Sequence, residues 1–194
     1  MINHFKKSDP ILYGIINKIN PLKPLSKSAN FFSDLCEAII NQQLSDKAAR
    51  TIFNRFKTLF PKEIITAEKL LKITDKKIRE VGTSWKKIAY MKGLADKVSK
   101  KEINLEKLED LTDQEIIIEL TKLHGIGRWT AEMFLMFSLA REDVFSAGDL
   151  GLRRGMQKLY KMKKEPTPKQ IEKISRKWSP YRTYAALILW RSVD

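Results

Sequence analysis

A chain of 194 residues can form one sizeable core or two small lobes, and its 43% hydrophobic content argues against disorder. Lys and Arg number 37 against 23 Asp and Glu, a formal net charge of +14 that points to a polyanion partner, nucleic acid first. The single cysteine, Cys36, excludes an internal disulfide framework, a thiolate zinc site and an iron–sulfur cluster, because each needs several thiols.

Taken in chain order, the signals are helical. The first residues, Met1-Ile2-Asn3-His4-Phe5-Lys6-Lys7, lack the apolar stretch of a secretory leader. No later run reaches the roughly 18 apolar residues of a membrane span, so an intracellular protein of cytoplasm, nucleoid or nucleus is expected. Phe31, Leu35, Ala38 and Ile39 share one helical face. Ser45 or Asp46 caps a helix with Ala48, Ile52, Phe53, Phe56 and Leu59 as its stripe, stopped by Pro61. Thr66 and Thr74 cap two short helices, and Ser84 opens another through Trp85, Ile88 and Met91. Thr112 and Glu115 form a capping box. Thr167-Pro168 is a cap followed by an N1 proline, and Pro180 begins a final apolar helix. With no alternating strand pattern, the fold class is all-α, built of about ten short helices.

Between two of these helices lies Leu123-His124-Gly125-Ile126-Gly127-Arg128-Trp129-Thr130-Ala131. Two glycines one residue apart allow a tight turn with positive φ and an unobstructed backbone. The helix start that follows suits a phosphate. Ile126 is expected to tuck inward and Arg128 to reach the phosphate chain. An ordinary glycine-bearing corner would look the same in isolation. Residues 129–140 are apolar almost all round, which predicts a central buried helix. Beyond it, Asp149 precedes another helix and reads first as an N-cap. A cap also fixes a carboxylate in space, so a catalytic role is compatible with it.

The Gly-Ile-Gly turn followed by Asp149 resembles the signature of the helix-hairpin-helix DNA glycosylase superfamily, most closely its alkylpurine branch, 3-methyladenine DNA glycosylase II. Two more segments are similar to that branch: Ala38-Ile39-Ile40-Asn41-Gln42-Gln43-Leu44-Ser45 and Trp178-Ser179-Pro180-Tyr181-Arg182-Thr183-Tyr184-Ala185. The resemblance runs over residues ~31–191. It implies two helical lobes flanking a cleft, one of residues 31–141, the other joining 1–30 to 142–194. Asp149 becomes the catalytic carboxylate. Trp129 and Trp178 become walls of the base pocket, with Met133 and Leu150 where some relatives carry tyrosines. Trp85 and Trp190 are left to the core.

Further expectations follow from the same resemblance. Gly125, Ile126, Gly127, Arg128 and Thr130 contact the DNA backbone. Gln43, or alternatively Leu44, fills the gap left by a flipped nucleotide. Lys86 and Lys87, in a second glycine-containing turn at residues 81–87, add backbone contacts or else form a solvated face. Backbone carbonyls of Thr121, Leu123 and Ile126 are candidates to hold Na+ or K+; no other cofactor is required. Some relatives place a nucleophilic lysine where Trp129 stands, so a monofunctional hydrolase without strand cleavage is expected. Its partner is double-stranded DNA with damaged bases and its state monomeric. The alternatives are a non-enzymatic hairpin DNA-binding protein, or a glycosylase for hypoxanthine or ethenoadenine.

Overall fold

The computed structural model describes residues 1–16, 18–19 and 21–193, together with all side chains in them but that of Asp46. Among these residues there are twelve α-helices and no strand, so the all-α reading holds. No helix of the described residues is long and apolar enough to cross a membrane. The chain divides into two compact units, Ser28–Phe134 and a second made of Met1–Lys27 with Leu135–Asp194. The later boundary thus falls inside the apolar segment after the hairpin rather than beyond it.

In the second-named unit, α1 (Ile2–Ser8) and α2 (Pro10–Ile16) pack on each other. They place Phe5 and Leu12 in the core. The helices of the Ser28–Phe134 unit come next. α3 (Phe31–Asn41) buries Phe31, Phe32, Leu35, Cys36, Ile39 and Ile40. α4 (Asp46–Lys57) is capped by Ser45, whose hydroxyl accepts from the Ala48 amide; the alternative cap, the Asp46 side chain, lies outside the described set. α5 (Ala67–Lys72), α6 (Asp75–Glu80) and α7 (Trp85–Ser99) start at the Thr66, Thr74 and Ser84 caps. α8 (Asp113–Thr121) starts at the Thr112–Glu115 capping box, which is closed in both directions. α9 (Arg128–Met133) follows the glycine turn. α3 packs on α4, α7 and α9, while α7 also packs on α5 and α6, so α3 and α7 form the centre of this unit.

Residues 134–138 then wind as a π-helix. The wider turn re-aims side chains relative to an ideal helix. Phe137 is left 47% exposed, against the expectation that this segment is buried all round. In the other unit follow α10 (Leu150–Leu159), α11 (Pro168–Ser175) and α12 (Arg182–Arg191). α12 buries Tyr184, Ala185, Ala186, Ile188 and Leu189 and packs on α10 and α2. Gly155 permits the close crossing: a Cβ there would sit 3.0 Å from the Leu189 carbonyl oxygen. The final helix starts at Arg182, two residues after the expected Pro180.

Candidate functional site

The hairpin joins α8 to α9. The Ile126 amide donates to the Leu123 carbonyl at 3.0 Å, closing the turn, and Ile126 is buried as expected. Only one of the two glycines uses its freedom. Gly125 has φ +89, and a Cβ there would lie 2.1 Å from the Tyr90 ring. Gly127 is extended at φ −93, but nothing lies within 4 Å of where its Cβ would be, so its backbone is open to approach. Beside the turn is a cleft of about 860 Å³ whose wall includes Gly125, Gly127, Trp129, Lys86, Lys122 and Tyr90. His124 meets Tyr90 edge-on at 4.8 Å, and the Lys86 ammonium lies 5.8 Å from the Tyr90 ring centre. Glycine backbone, the start of α9, Lys86 and Lys122 thus share one concave wall, a chemistry suited to an anion.

The other expected DNA contacts differ in exposure. Arg128 is exposed, with its Nε donating to Glu132 at 2.8 Å. Gln43 and Leu44 are both exposed, and Gln43 adopts φ 57, a left-handed conformation rare outside glycine. Thr130 is different: it is 2% exposed, and its hydroxyl accepts from the Gln42 amide at 3.1 Å. Its side chain therefore braces the hairpin rather than meeting DNA. Lys87, expected on the DNA backbone or a solvated face, is engaged within the protein. Its ammonium donates to the carbonyls of Ile40 and Gln42, both at 2.8 Å, so it closes the C-terminal end of α3. Burial pulls its pKa below the ordinary lysine value. Thr121, Leu123 and Ile126 all line the cleft.

Asp149 lies in the other unit, at the N-cap of α10. Its Oδ1 accepts from the Leu152 amide at 2.8 Å and from the Trp190 indole N–H at 2.9 Å. Trp190 thus belongs to the carboxylate, not to the core as expected. The signal that could have found it is its place on the last helix, one long side chain able to reach back over α10. Phe137 tilts against Trp190 with ring centres 6.0 Å apart, and Leu150 is 47% exposed. Asp149 therefore stands half-buried beside an apolar, partly aromatic surface of Phe137, Leu150 and Trp190.

Trp178 and Met133, expected to line the base pocket, lie inside the protein instead. Trp178 is fully buried, donates from Nε1 to Asp9 at 2.9 Å and meets Phe145 edge-on, so it offers no wall to a base. Met133 is 8% exposed and packs inside. Trp129 lines the hairpin cleft and is half-buried. Trp85, expected in the core, is 59% exposed at the start of α7.

Comparison with known proteins identifies the family. A family model described as "HhH-GPD superfamily base excision DNA repair protein" matches residues 36–180. The DNA-3-methyladenine glycosylase 1 of Schizosaccharomyces pombe is 37% identical over 187 residues, covering 93% of this chain and 80% of the relative. A solved structure of a 3-methyladenine DNA glycosylase from the same yeast, in complex with abasic DNA, superimposes with a TM-score of 0.86 at 34% identity, covering 97% of this chain and 94% of the other. A DNA-3-methyladenine glycosidase from Bacillus halodurans superimposes with a TM-score of 0.83 at 35% identity, covering 100% and 88%. The chain belongs to the HhH-GPD superfamily of base excision DNA repair proteins.

Proposed function

We propose that this protein is a monofunctional DNA glycosylase that hydrolyses the N-glycosidic bond of alkylated purines, of the 3-methyladenine and 7-methylguanine type, in duplex DNA. The observation that carries this reading is Asp149: a carboxylate fixed by an amide at 2.8 Å and an indole N–H at 2.9 Å, beside exposed apolar side chains. A carboxylate held as firmly as this needs no reorganisation when charge develops near it. An alkylated purine already carries positive charge and leaves with the bonding electron pair, becoming neutral. The deoxyribose left behind is cationic at C1′, and Asp149 stabilises it. A water molecule then forms the new C1′–O bond and gives up its proton, with Asp149 as the orienting and accepting group. The products are the free base and an intact abasic strand.

Apolar and aromatic surface at Phe137, Leu150 and Trp190 suits a cationic, flat base. The hairpin cleft takes the phosphate backbone through Gly125, Gly127, Arg128 and Lys86. Gln43, or Leu44 beside it, enters the stack vacated by the flipped nucleotide. The Thr121, Leu123 and Ile126 carbonyls are the candidates to hold a monovalent cation; Leu123, whose carbonyl accepts from the Ile126 amide, keeps a second lone pair for it. Such a cation would add positive charge toward a phosphate.

Trp129 has no amine, so no Schiff base with the opened sugar forms there. The test is release of free base from single-lesion duplexes by wild type and Asp149→Asn, with borohydride added to trap any covalent intermediate. Base release by wild type alone, with no trapped protein, is expected. Equal release by both would remove Asp149 from the chemistry, and a trapped adduct would make the enzyme a lyase. Including hypoxanthine and ethenoadenine duplexes in the same set defines the lesion range.

A further inference from the structure

Gln42 ends α3 and immediately precedes the loop at residues 43–44. Its side-chain amide donates to the Gly125 carbonyl at 2.8 Å and to the Thr130 hydroxyl at 3.1 Å. One side chain thus grips the hairpin at its left-handed glycine and in the first turn of α9. The Lys87 ammonium on α7 holds the carbonyls of Ile40 and Gln42. These belong to the last turn of α3, whose carbonyls have no helical amide to meet and favour a cation. Gln42 is therefore anchored through both its backbone and its side chain. The next residue, Gln43, takes φ 57 without being glycine, a conformation that persists only where its surroundings hold it. The anchors on Gln42 supply that hold.

We infer that Gln42 and Lys87 are positioning residues that fix the reach of the 43–44 loop relative to the Gly125 turn, so that seating the backbone and entering the base stack occur as one rigid event. This rests on the wedge reading of that loop given above. It makes Gln42 and Lys87 determinants of base extrusion, not of bond cleavage.

The experiment compares single-turnover release of the same alkylpurine from two duplexes. In one the lesion is paired; in the other it stands in a one-nucleotide bulge and is already unstacked. For Gln42→Leu and Lys87→Met the paired rate is expected to fall about 10- to 100-fold, the size of one polar group left unsatisfied. The bulged rate is expected to fall less than about 3-fold, since the extrusion step is bypassed. Lys87→Arg, which can still reach two carbonyls, restores the paired rate. Equal losses on both duplexes, or no loss on either, would overturn the inference. If Gln42→Leu fails to fold, Lys87→Met and its arginine rescue carry the same ratio. Failure of the underlying reading is distinct: wild type releasing nothing from either duplex removes the glycosylase activity. A Gln43→Ala, Leu44→Ala double variant with an unchanged paired rate removes the wedge.

Discussion

Asp9 and Asp149 are nearly the same local device put to different ends. Each accepts from the amide three residues on, Leu12 at 3.1 Å and Leu152 at 2.8 Å, at the start of a helix. Each also accepts from a tryptophan indole at 2.9 Å, Trp178 for Asp9 and Trp190 for Asp149. They diverge in what surrounds them. Asp9 is 2% exposed and takes a third donor, the Tyr160 hydroxyl, in the core of its unit. Burial, then the neighbouring Asp9 carboxylate, push the Tyr160 hydroxyl above its ordinary pKa. Asp149 is half-buried, next to exposed Phe137 and Leu150. A saturated, enclosed carboxylate is a structural tie. A half-buried carboxylate anchored by the same two kinds of donor stands instead at an exposed apolar surface.

Asparagine at each position separates the two roles most sharply. Asp149→Asn keeps an oxygen acceptor for the cap and the indole but loses the charge. Base release is expected to fall about 10³-fold, from loss of the general base and of electrostatic stabilisation, with the melting temperature little changed. Asp9→Asn should leave the rate nearly intact and lower stability instead. A large rate loss in Asp9→Asn, or an unfolded Asp149→Asn, would erase the distinction.

The same pairing shows what could be read from sequence. The caps at Ser45, Thr66, Thr74, Ser84, Thr112 and Thr167 were legible because each is a local rule, a short polar side chain meeting an amide three residues on. The Gly125 turn was legible for the same reason, and Asp149 was legible as a cap. Which tryptophan serves which aspartate was not. Trp178 and Trp190 are far from Asp9 and Asp149 in the chain, and indole suits both a core and a half-exposed wall. The π-helix at residues 134–138 was hidden too, because a segment apolar on every face carries no register signal from which exposure of Phe137 could be read. Lys87 read as a DNA-backbone contact or part of a solvated face, because its true partners, the carbonyls of Ile40 and Gln42 at the end of α3, are 47 and 45 residues away in the chain.

Phenylalanine in place of each tryptophan is the next test. Trp178→Phe leaves Asp9 enclosed and short of one donor. Stability is expected to drop by about 2 kcal/mol, a fall in Tm of roughly 4–8 °C, with excision by the folded protein unchanged. Trp190→Phe removes the same atom where surrounding exposure is greater. It is expected to slow excision about 10-fold, through a less firmly aimed carboxylate, while moving Tm less than Trp178→Phe does. If the two variants behaved alike, surroundings would not be what divides the pairs.

A third carboxylate calibrates the comparison with a smaller effect. Asp143 is bound by the Arg182 guanidinium through Nε at 2.7 Å and Nη2 at 3.1 Å, and by the Ser179 hydroxyl at 2.7 Å. Burial alone would raise its pKa, but the hydrogen bonds from Arg182 and Ser179 and the guanidinium charge outweigh that and hold it below the ordinary value. A depressed carboxyl pKa stabilises the fold fully above the unfolded value, near 3.9, and the stabilisation is lost as pH falls through the folded value. Both partners are about one-third exposed, at 37% and 32%, so solvent screens the pair and its contribution is at most about 1 kcal/mol. Melting temperatures of wild type and Asp143→Asn, measured from about pH 7 down to about pH 2, are expected to differ by a constant small amount at the upper end and converge below about pH 4. A gap that persisted in acid would mean that neutral hydrogen bonds, not charge, hold this loop to α12.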